Sequence, residues 1–315
     1  MTAIIGYDEI AAALPDVDVL AAMERAFRTY SSGGATIPPV GELLFDNPPG
    51  DAHIKYGYVH GDDLFFVKVA TGFYDNERAG LPPNSGLVLA FNARTGLPAA
   101  VLLDEGFLTN ARTAAAGALA GKLLGPAEVE AIGILGTGMQ ARMQLEYLAR
   151  TTPCRDVVLW GRSADRVDGY VKQMAGAGFS VDVAATPRDV AQRANLIVTT
   201  TCTQAPLLHA EDIRPGTHIT AMGSDTPDKN ELDASVLERA DVIVVDSLSQ
   251  CVERGELHHA VKQKRVAPDR AVELGAVLNG EAAGRTSDDQ VTIADLTGVA
   301  VQDIEICKAV LSVLR

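Results

Sequence analysis

The sequence has 315 residues, 47% of them hydrophobic, which is enough for a sizeable core and two domains of roughly 100 to 200 residues. Its 27 lysines and arginines against 41 acidic residues give a net charge of −14, and without a dense basic cluster nucleic acid is not an expected partner. No apolar run approaches the roughly 18 residues of a membrane span, and no signal-like core opens the chain, so we expect a cytoplasmic protein with no membrane partner.

The first hundred residues predict helices followed by a sheet. After a short helix broken near Pro15, the stretch 16-DVDVLAAMERAFRTYSSGG-34 has helical apolar spacing and ends at a glycine pair. Short β-like runs then follow, separated by Gly, Pro, Asn and Asp clusters: YGYV, LFFVKVA, GLVLAFN and PAAVLLD. These runs predict an antiparallel sheet, and the alanine-rich stretch 108–125 predicts a long helix that leads into the next domain.

The stretch 131-AIGILGTGMQARMQLEYLAR-150 has a GxGxxA pattern between an apolar strand and an amphipathic helix. Gly136 can form a tight turn, Gly138 lets the backbone approach a ligand, and Ala141 allows the helix to pack on the strand. A helix that begins near Gly138 presents unpaired N–H groups and its positive dipole end, which suit a pyrophosphate. The pattern also occurs in ordinary strand-to-helix turns, but the flanking strand and helix favour dinucleotide binding.

Beyond this turn, strand-like runs alternate with helix-like spacers. The runs are AIGIL, DVVLW, SVDVA, NLIVTTT, THITAM and DVIVVD. This alternation predicts a parallel, doubly wound sheet of the Rossmann kind. The last stretch, 298–314, has helical spacing, and we expect it to pack back on the first domain.

The end of the second strand of this unit, 156-DVVLWGRS-163, bears on the choice of dinucleotide. The acidic residue that usually binds a ribose hydroxyl is missing, and Arg162 and Ser163 stand near its place. An arginine there can hold the 2′-phosphate of NADP(H), but it can also stack on adenine and leave NAD(H) acceptable. Both cofactors stay open.

Three polar residues are candidates for chemistry, each with an ordinary alternative. Lys68 lies in an apolar strand, where it could bind a carboxylate or simply point to solvent. Arg112 lies near the start of the alanine-rich helix, where it could bind an anion or form a surface ion pair. Asp225 follows a strand of the parallel sheet, where it could act as an acid or base or form an Asx turn.

Five ordered blocks resemble the ornithine cyclodeaminase and mu-crystallin family over nearly the whole chain. They are VKVATGFYDNERAGLPPNSG, LDEGFLTNARTAAAGALA, GILGTGMQARMQL, GSDTPDKNELD and ADLTGVAVQDI. The resemblance implies an α/β fold in which a Rossmann domain, residues 113–297, is inserted in a discontinuous α+β domain, residues 1–112 and 298–315. That discontinuous domain binds the substrate and forms a homodimer in family members.

The resemblance also implies roles for particular residues. Lys68 matches a lysine that binds the substrate carboxylate, Arg112 an arginine that faces cofactor phosphate and substrate, and Asp225 a catalytic aspartate. Six further residues match or adjoin positions that line the cofactor in relatives, in addition to Gly136, Gly138 and Arg162. They are Ser85, Met139, Gln140, Met222, Leu296 and Thr297. No metal is expected, because the cysteines show no CxxC spacing and the adjacent His258 and His259 cannot share a helix face.

The blocks 53-HIKYGY-58 and 294-ADLTGVAVQD-303 look most like the ectoine-utilisation and iminosuccinate reductase branch. His53 and Lys55 add donors that could neutralise a second carboxylate, although a solvated edge strand would also explain them. We therefore expect NAD(P)H-dependent reduction of iminosuccinate to L-aspartate, a small anionic substrate. An ornithine- or lysine-type cyclodeaminase and a non-catalytic small-molecule binder of the mu-crystallin kind are the alternatives.

Overall fold

A computed structural model describes residues 2–314, apart from the side chains of Tyr74 and Glu77. The described chain divides into two compact units. The first runs up to Arg112 and resumes at Val299, and the second is Thr113–Gly298.

The helices and strands follow one another from end to end of the chain. The α-helices are α1 (Tyr7–Ala13), α2 (Val19–Ser31), α3 (Phe107–Leu124), α4 (Met139–Leu148), α5 (Ala164–Gly176), α6 (Pro187–Arg193), α7 (Ala234–Arg239), α8 (Leu248–Cys251), α9 (Glu256–Lys262), α10 (Leu274–Asn279) and α11 (Ala300–Val313). The strands are β1 (Ala3–Ile5), β2 (Ala35–Thr36), β3 (Gly41–Asp46), β4 (Pro49–Val59), β5 (Leu64–Phe73), β6 (Asn84–Asn92), β7 (Pro98–Leu102), β8 (Ile132–Leu135), β9 (Asp156–Trp160), β10 (Ser180–Val183), β11 (Leu196–Thr199), β12 (His218–Ala221), β13 (Val242–Val245), β14 (Ala271–Glu273) and β15 (Thr292–Asp295). Short 3₁₀ turns lie at Leu14–Asp16, Tyr74–Ala79, Ala210–Asp212 and Pro268–Arg270.

The first unit is built on a mixed sheet. Within the described residues its order is β1-β7-β6-β5-β4-β2, with β3 also paired to β4. The strands that contain the predicted runs, β4 to β7, pair antiparallel as expected, as do β2 and β3 with β4. β1, which was not predicted as a strand, runs parallel to β7. Helix α11 packs on α2 and against β4 and β5. The C-terminal helix thus completes the core of the first unit.

The second unit is built on a parallel sheet of order β10-β9-β8-β11-β12-β15-β13-β14, and its pairings among the described strands are all parallel. Several strands, such as IGIL in β8 and LIVT in β11, are buried at every position. Strands covered by helices on both faces need such continuous apolar runs. The predicted doubly wound parallel sheet is confirmed, and it contains two further strands, β14 and β15, that were not predicted from the sequence.

Among residues 2–314, no helix combines the length and the apolar character that crossing a bilayer requires. The same residues contain no cluster of three or more His, Cys, Asp or Glu side chains arranged to hold a metal ion.

Candidate active site

Two buried cations share one carboxylate oxygen in the first unit. Lys68 Nζ donates to Asp303 Oδ1 at 2.8 Å, and Arg112 Nε donates to the same oxygen at 3.1 Å. Lys68 lies on β5, Arg112 on α3 and Asp303 in the first turns of α11, so three elements bring the charges together. All three residues are at most 6% exposed. We call Lys68, Arg112 and Asp303 the triad.

Further donors and acceptors surround the triad. Lys68 Nζ also donates to Thr109 Oγ1 at 3.3 Å, and Arg112 Nη1 approaches Gln302 Oε1 at 3.5 Å. Burial lowers the pKa of Lys68, while Asp303 acts in the opposite direction. Burial would raise the pKa of Asp303, but Lys68, Arg112 and Lys55 outweigh it and hold that pKa below its usual value. The carboxylate is therefore charged, and it offsets only part of the surrounding positive charge.

Lys55 joins the triad on the same face of the sheet. It stands opposite Lys68 in the β4–β5 register, and opposite residues of an antiparallel pair project to one side. Like charges at such a position repel each other, so an anion that both can reach is stabilising. His53 has other partners, because its ring nitrogens lie 3.5 Å from Glu42 Oε1 and 3.3 Å from Asp51 Oδ1. His53 is thus already held by acidic neighbours.

The glycine-rich turn of the second unit has the form that a dinucleotide needs. Gly136 has a φ of +126°, and its N–H donates to Trp160 O at 2.9 Å, which fixes the turn after β8. Gly138 is the N-cap of α4 and no side chain caps the helix there. A Cβ built on Gly138 meets open space. The first N–H groups of α4 are therefore accessible to a phosphate.

At the end of β9 the structure places two predicted residues at the start of α5. Arg162 is exposed, and Ser163 is the N-cap of α5, with its hydroxyl accepting from Arg166 N at 3.5 Å. A cation and a hydroxyl at this position are compatible with a 2′-phosphate.

Asp225 lies in the loop after β12, with its carboxylate 2.5 Å from Lys229 Nζ. Two buried glutamates hold the two residues that precede Asp225. Glu231 accepts from Gly223 N at 2.8 Å, and Glu256 accepts from Ser224 Oγ at 2.5 Å. Burial and then the charge of Glu256 raise the pKa of Glu231 to about 7. The loop backbone is thus fixed, whereas Asp225 itself is exposed.

The remaining predicted cofactor residues differ in accessibility. Met139 is 55% exposed at the start of α4, whereas Leu296 and Thr297 are buried after β15. The Thr297 hydroxyl donates to Asp246 at 3.1 Å and accepts from Gln250 at 2.7 Å, so its local role is structural. The half-buried positions are Gln140, which accepts from Gln144 at 3.4 Å, and Met222, which follows β12. Ser85 is exposed on β6, opposite Thr71.

Asp303, Glu231 and Glu256 were missing from the predicted site. Asp303 stands inside the apolar run 299-VAVQDIEICKAV-310, and a charge in such a run signals a buried partner. Glu231 and Glu256 do not stand inside apolar runs, because their neighbours in the sequence are ordinary loop and helix residues. The sequence therefore gives no comparable signal that they are buried. Their partners come from distant stretches, so no local pattern identifies them.

The parallel sheet and its glycine-rich turn define a dinucleotide-binding protein. The family model described as ornithine cyclodeaminase/mu-crystallin family matches residues 4–314. The chain belongs to this family.

Two curated relatives cover most of the chain. It is 41% identical over 294 residues to an uncharacterized cyclodeaminase of Sinorhizobium fredii, covering 92% of this chain and 89% of the relative. It is 31% identical over 317 residues to the iminosuccinate reductase of Paracoccus denitrificans, covering 99% and 96%. The second likeness agrees with the branch that the sequence blocks resemble.

Two solved structures share the fold over the whole chain. An archaeal alanine dehydrogenase dimer with bound NAD has a TM-score of 0.91 at 32% identity, covering 99% of this chain and 95% of the other. The iminosuccinate reductase of Paracoccus denitrificans in complex with NAD⁺ has a TM-score of 0.88 at 28% identity, covering 99% and 96%. With the glycine-rich turn, these likenesses assign the chain to oxidoreductases that use a nicotinamide dinucleotide.

Proposed function

We propose that the protein is an imine reductase that uses NAD(P)H to convert iminosuccinate into L-aspartate. The observation that carries the proposal is the buried triad with Lys55 on the same sheet face. Three cations gather there in a protein of net charge −14, and Asp303 is the carboxylate that directly bonds two of them. Such a cluster recognises a carboxylate by charge-assisted hydrogen bonds.

The proposed substrate has two carboxylates, and the first unit offers a place for each. Lys68 and Arg112 bind the carboxylate next to the imine carbon, because both are oriented by Asp303 and retain unused N–H donors. Lys55 binds the second carboxylate from the neighbouring strand. His53 is held by Glu42 and Asp51, so this proposal does not use it as a donor to the second carboxylate, in contrast to the role predicted from the sequence.

The second unit supplies residues that fit the dinucleotide. Gly138 and the first N–H groups of α4 would hold the pyrophosphate, and Arg162 with Ser163 would hold the adenosine end. When bound, NAD(P)H supplies the hydride that the imine carbon takes up. Arg162 favours NADPH over NADH in this proposal, since no acidic side chain replaces it at the end of β9.

Reduction of a C=N bond also needs a proton on nitrogen, and we assign its donation to Asp225 in its protonated form. The transfer would leave Asp225 as a carboxylate, whose charge Lys229, 2.5 Å away, can stabilise. Glu231 and Glu256 keep the loop of Asp225 in one conformation through its backbone and Ser224. Much of the rate would come from the fixed orientation of the bound carboxylate.

A ring-forming cyclodeaminase is the second candidate, and one observation favours it. The Sinorhizobium fredii relative, at 41% identity, carries the name cyclodeaminase. In that reaction the hydride returns to the product, so ammonia is released without net change in NAD(P)H. The same triad would bind the carboxylate of ornithine or lysine.

We further propose that the protein works as a homodimer in the cytoplasm. The alanine dehydrogenase with the same fold is a dimer. Strand β3 exposes the apolar side chains of Leu43, Leu44 and Phe45, which a second copy of the chain would cover. The four cysteines are unpaired in the structure, as a reducing compartment requires. Light scattering after size-exclusion chromatography tests the dimer.

The first experiment measures oxidation of NADH and NADPH at 340 nm with oxaloacetate plus ammonium, which forms iminosuccinate in place. Pyruvate plus ammonium and glyoxylate plus ammonium are the controls for a single carboxylate. Turnover that needs ammonium and is restricted to oxaloacetate supports the proposal and identifies the cofactor. Turnover only with the controls, or ammonia release from ornithine or lysine without net NAD(P)H change, contradicts it.

A further inference from the structure

Asp303 binds different partners from Glu256, the buried carboxylate that holds the loop of Asp225. Glu256 accepts from the backbone N–H groups of Glu231 and Leu232 at 2.9 Å each, and so holds loops together. Asp303 Oδ1 accepts only from the side chains of Lys68 and Arg112 among the described residues, and its Oδ2 has no partner there. Glu305 on the same helix also binds two cations, but these are Arg25 and Lys308, which are partly exposed. Asp303 directs its charge at two buried cations.

Lys68 and Arg112 keep N–H donors that Asp303 does not use, and these are available to a ligand. Lys68 has three N–H donors, of which one goes to Asp303 and one to Thr109. Arg112 has five, of which Nε goes to Asp303 and Nη1 makes a long contact to Gln302. Each cation thus gives one strong bond to Asp303 and keeps donors for an incoming anion. Their shared acceptor fixes the direction of both side chains.

We propose that Asp303 is a positioning residue, which aims Lys68 and Arg112 at the substrate carboxylate and keeps Lys68 charged inside a buried site. The inference rests on the proposed function for the identity of the ligand. Without Asp303, Lys68 faces Arg112 on α3 and Lys55 on β4, and both disfavour an ammonium. Asp104, which caps α3 through Leu108 N at 3.0 Å, is the other anion that acts on Lys68.

Asp303→Asn tests this assignment, because it keeps the size of the side chain and removes the charge. Glu305→Gln is the matched control: Glu305 is a buried carboxylate on the same helix, held by Arg25 at 3.3 Å and Lys308 at 2.6 Å. The first readout is the titration of Lys68 by NMR with ¹³C at the lysine ε-carbons. The chain has eight lysines, and Lys68→Met assigns the signal.

In Asp303→Asn, we expect the pKa of Lys68 to fall by about one unit or more. In Glu305→Gln it stays at the wild-type value. The second readout is succinate affinity by calorimetry at pH 7 and pH 9, in the presence of reduced cofactor. A neutral Lys68 binds carboxylates poorly, so succinate affinity in Asp303→Asn falls roughly tenfold more over this interval than in the wild type.

An unchanged Lys68 titration in Asp303→Asn overturns the proposal, as does an equal change in Glu305→Gln. A shifted titration with wild-type succinate affinity at both pH values overturns the positioning role. If the wild type reduces no imine, the proposed function fails on its own, and the lysine titration still decides whether Asp303 controls Lys68.

Asp303→Glu covers the case in which Asp303→Asn does not fold. It keeps the charge and moves it by one methylene, so the pKa of Lys68 should stay near the wild-type value while succinate binding weakens. Wild-type succinate affinity in Asp303→Glu shows that the place of the carboxylate is immaterial and overturns the positioning role.

Discussion

Two glycines of the turn after β8 are expected to respond in opposite ways to the same substitution. Gly136 has a φ of +126°, and a Cβ on it lies 2.5 Å from Thr200 Oγ1. Gly138 has a φ of −81°, and a Cβ on it meets no atom within 4 Å. Alanine at Gly136 therefore perturbs the fold, whereas alanine at Gly138 perturbs only what approaches from outside.

The cost of Gly136→Ala follows from the strain and the clash. A non-glycine residue at such a φ costs about 1–3 kcal/mol, before any movement of Thr200. For a chain of 315 residues, whose unfolding entropy is about 0.66 kcal/mol/K, ~2 kcal/mol lowers the melting temperature by roughly 3 °C. Thr200→Ala in the same chain removes the clashing hydroxyl but not the positive φ, so it should recover only part of the loss.

The cost of Gly138→Ala in folding free energy is close to zero. Alanine is a poorer N-cap than glycine by about 0.5–1 kcal/mol, and the stiffer unfolded chain offsets this by about 0.4–1 kcal/mol. The methyl group instead occupies the space beside the first N–H groups of α4. Loss of one charged hydrogen bond, about 1.5–3 kcal/mol, weakens cofactor binding roughly 10- to 150-fold.

The assay pairs thermal unfolding without ligand with fluorescence titration of NADH and NADPH. The expected pattern is a stable Gly138→Ala that binds both cofactors weakly and a destabilised Gly136→Ala. Wild-type cofactor affinity in a folded Gly138→Ala would refute the argument that a phosphate approaches this turn. Equal melting temperatures of wild type and Gly136→Ala would refute the strain argument.

Three further predictions concern single charges. Lys68→Ala should lower kcat/KM by roughly 10- to 150-fold, because it removes one charged hydrogen bond to the substrate. The affinity for NAD(P)H, measured by fluorescence, should stay as in wild type. An unchanged kcat/KM would remove Lys68 from the mechanism. Arg162→Glu should weaken NADPH binding at least tenfold relative to NADH, and an unaltered ratio of the two Kd values would contradict a 2′-phosphate contact. Because the pKa of Glu231 is raised from 4.5 to about 7, its contribution to stability is full below pH 4.5 and is lost as pH rises through 7. Glu231→Gln should therefore flatten the fall in melting temperature between pH 5 and pH 8. An equal slope in wild type and Glu231→Gln would contradict a link between the titration of Glu231 and stability.

The parallel sheet could be predicted from the sequence because its strands are continuous apolar runs with helical spacers between them. β8 and β11 show this clearly, since each is buried at every position. β15, with the sequence TIAD, was not predicted because it runs directly into the Leu-Thr-Gly of the block ADLTGVAVQDI, and such residues are typical of a loop. It lies between β12 and β13 in the sheet, so only long-range pairing reveals it as a strand.

Strands β1 and β3 of the first unit were also harder to predict. β3, GELLFD, exposes most of its side chains, so no burial pattern marks it, and β1 is only three residues long. The parallel pairing of β1 with β7 joins residues almost a hundred positions apart. Strand partners at such distances leave no trace in local sequence patterns.

The sequence by itself determined the class of fold, the glycine-rich turn and the residue types available for binding an anion, because periodicity and glycine geometry are local properties. It left open whether Lys68 and Arg112 point to solvent or to an anion. Tertiary structure decided this, because it brings Asp303 to within 3.1 Å of both cations. In the sequence, Asp303 is 191 residues from Arg112 and 235 residues from Lys68. The partner of a buried charge is set by which elements pack together, and a single stretch of chain does not encode that packing.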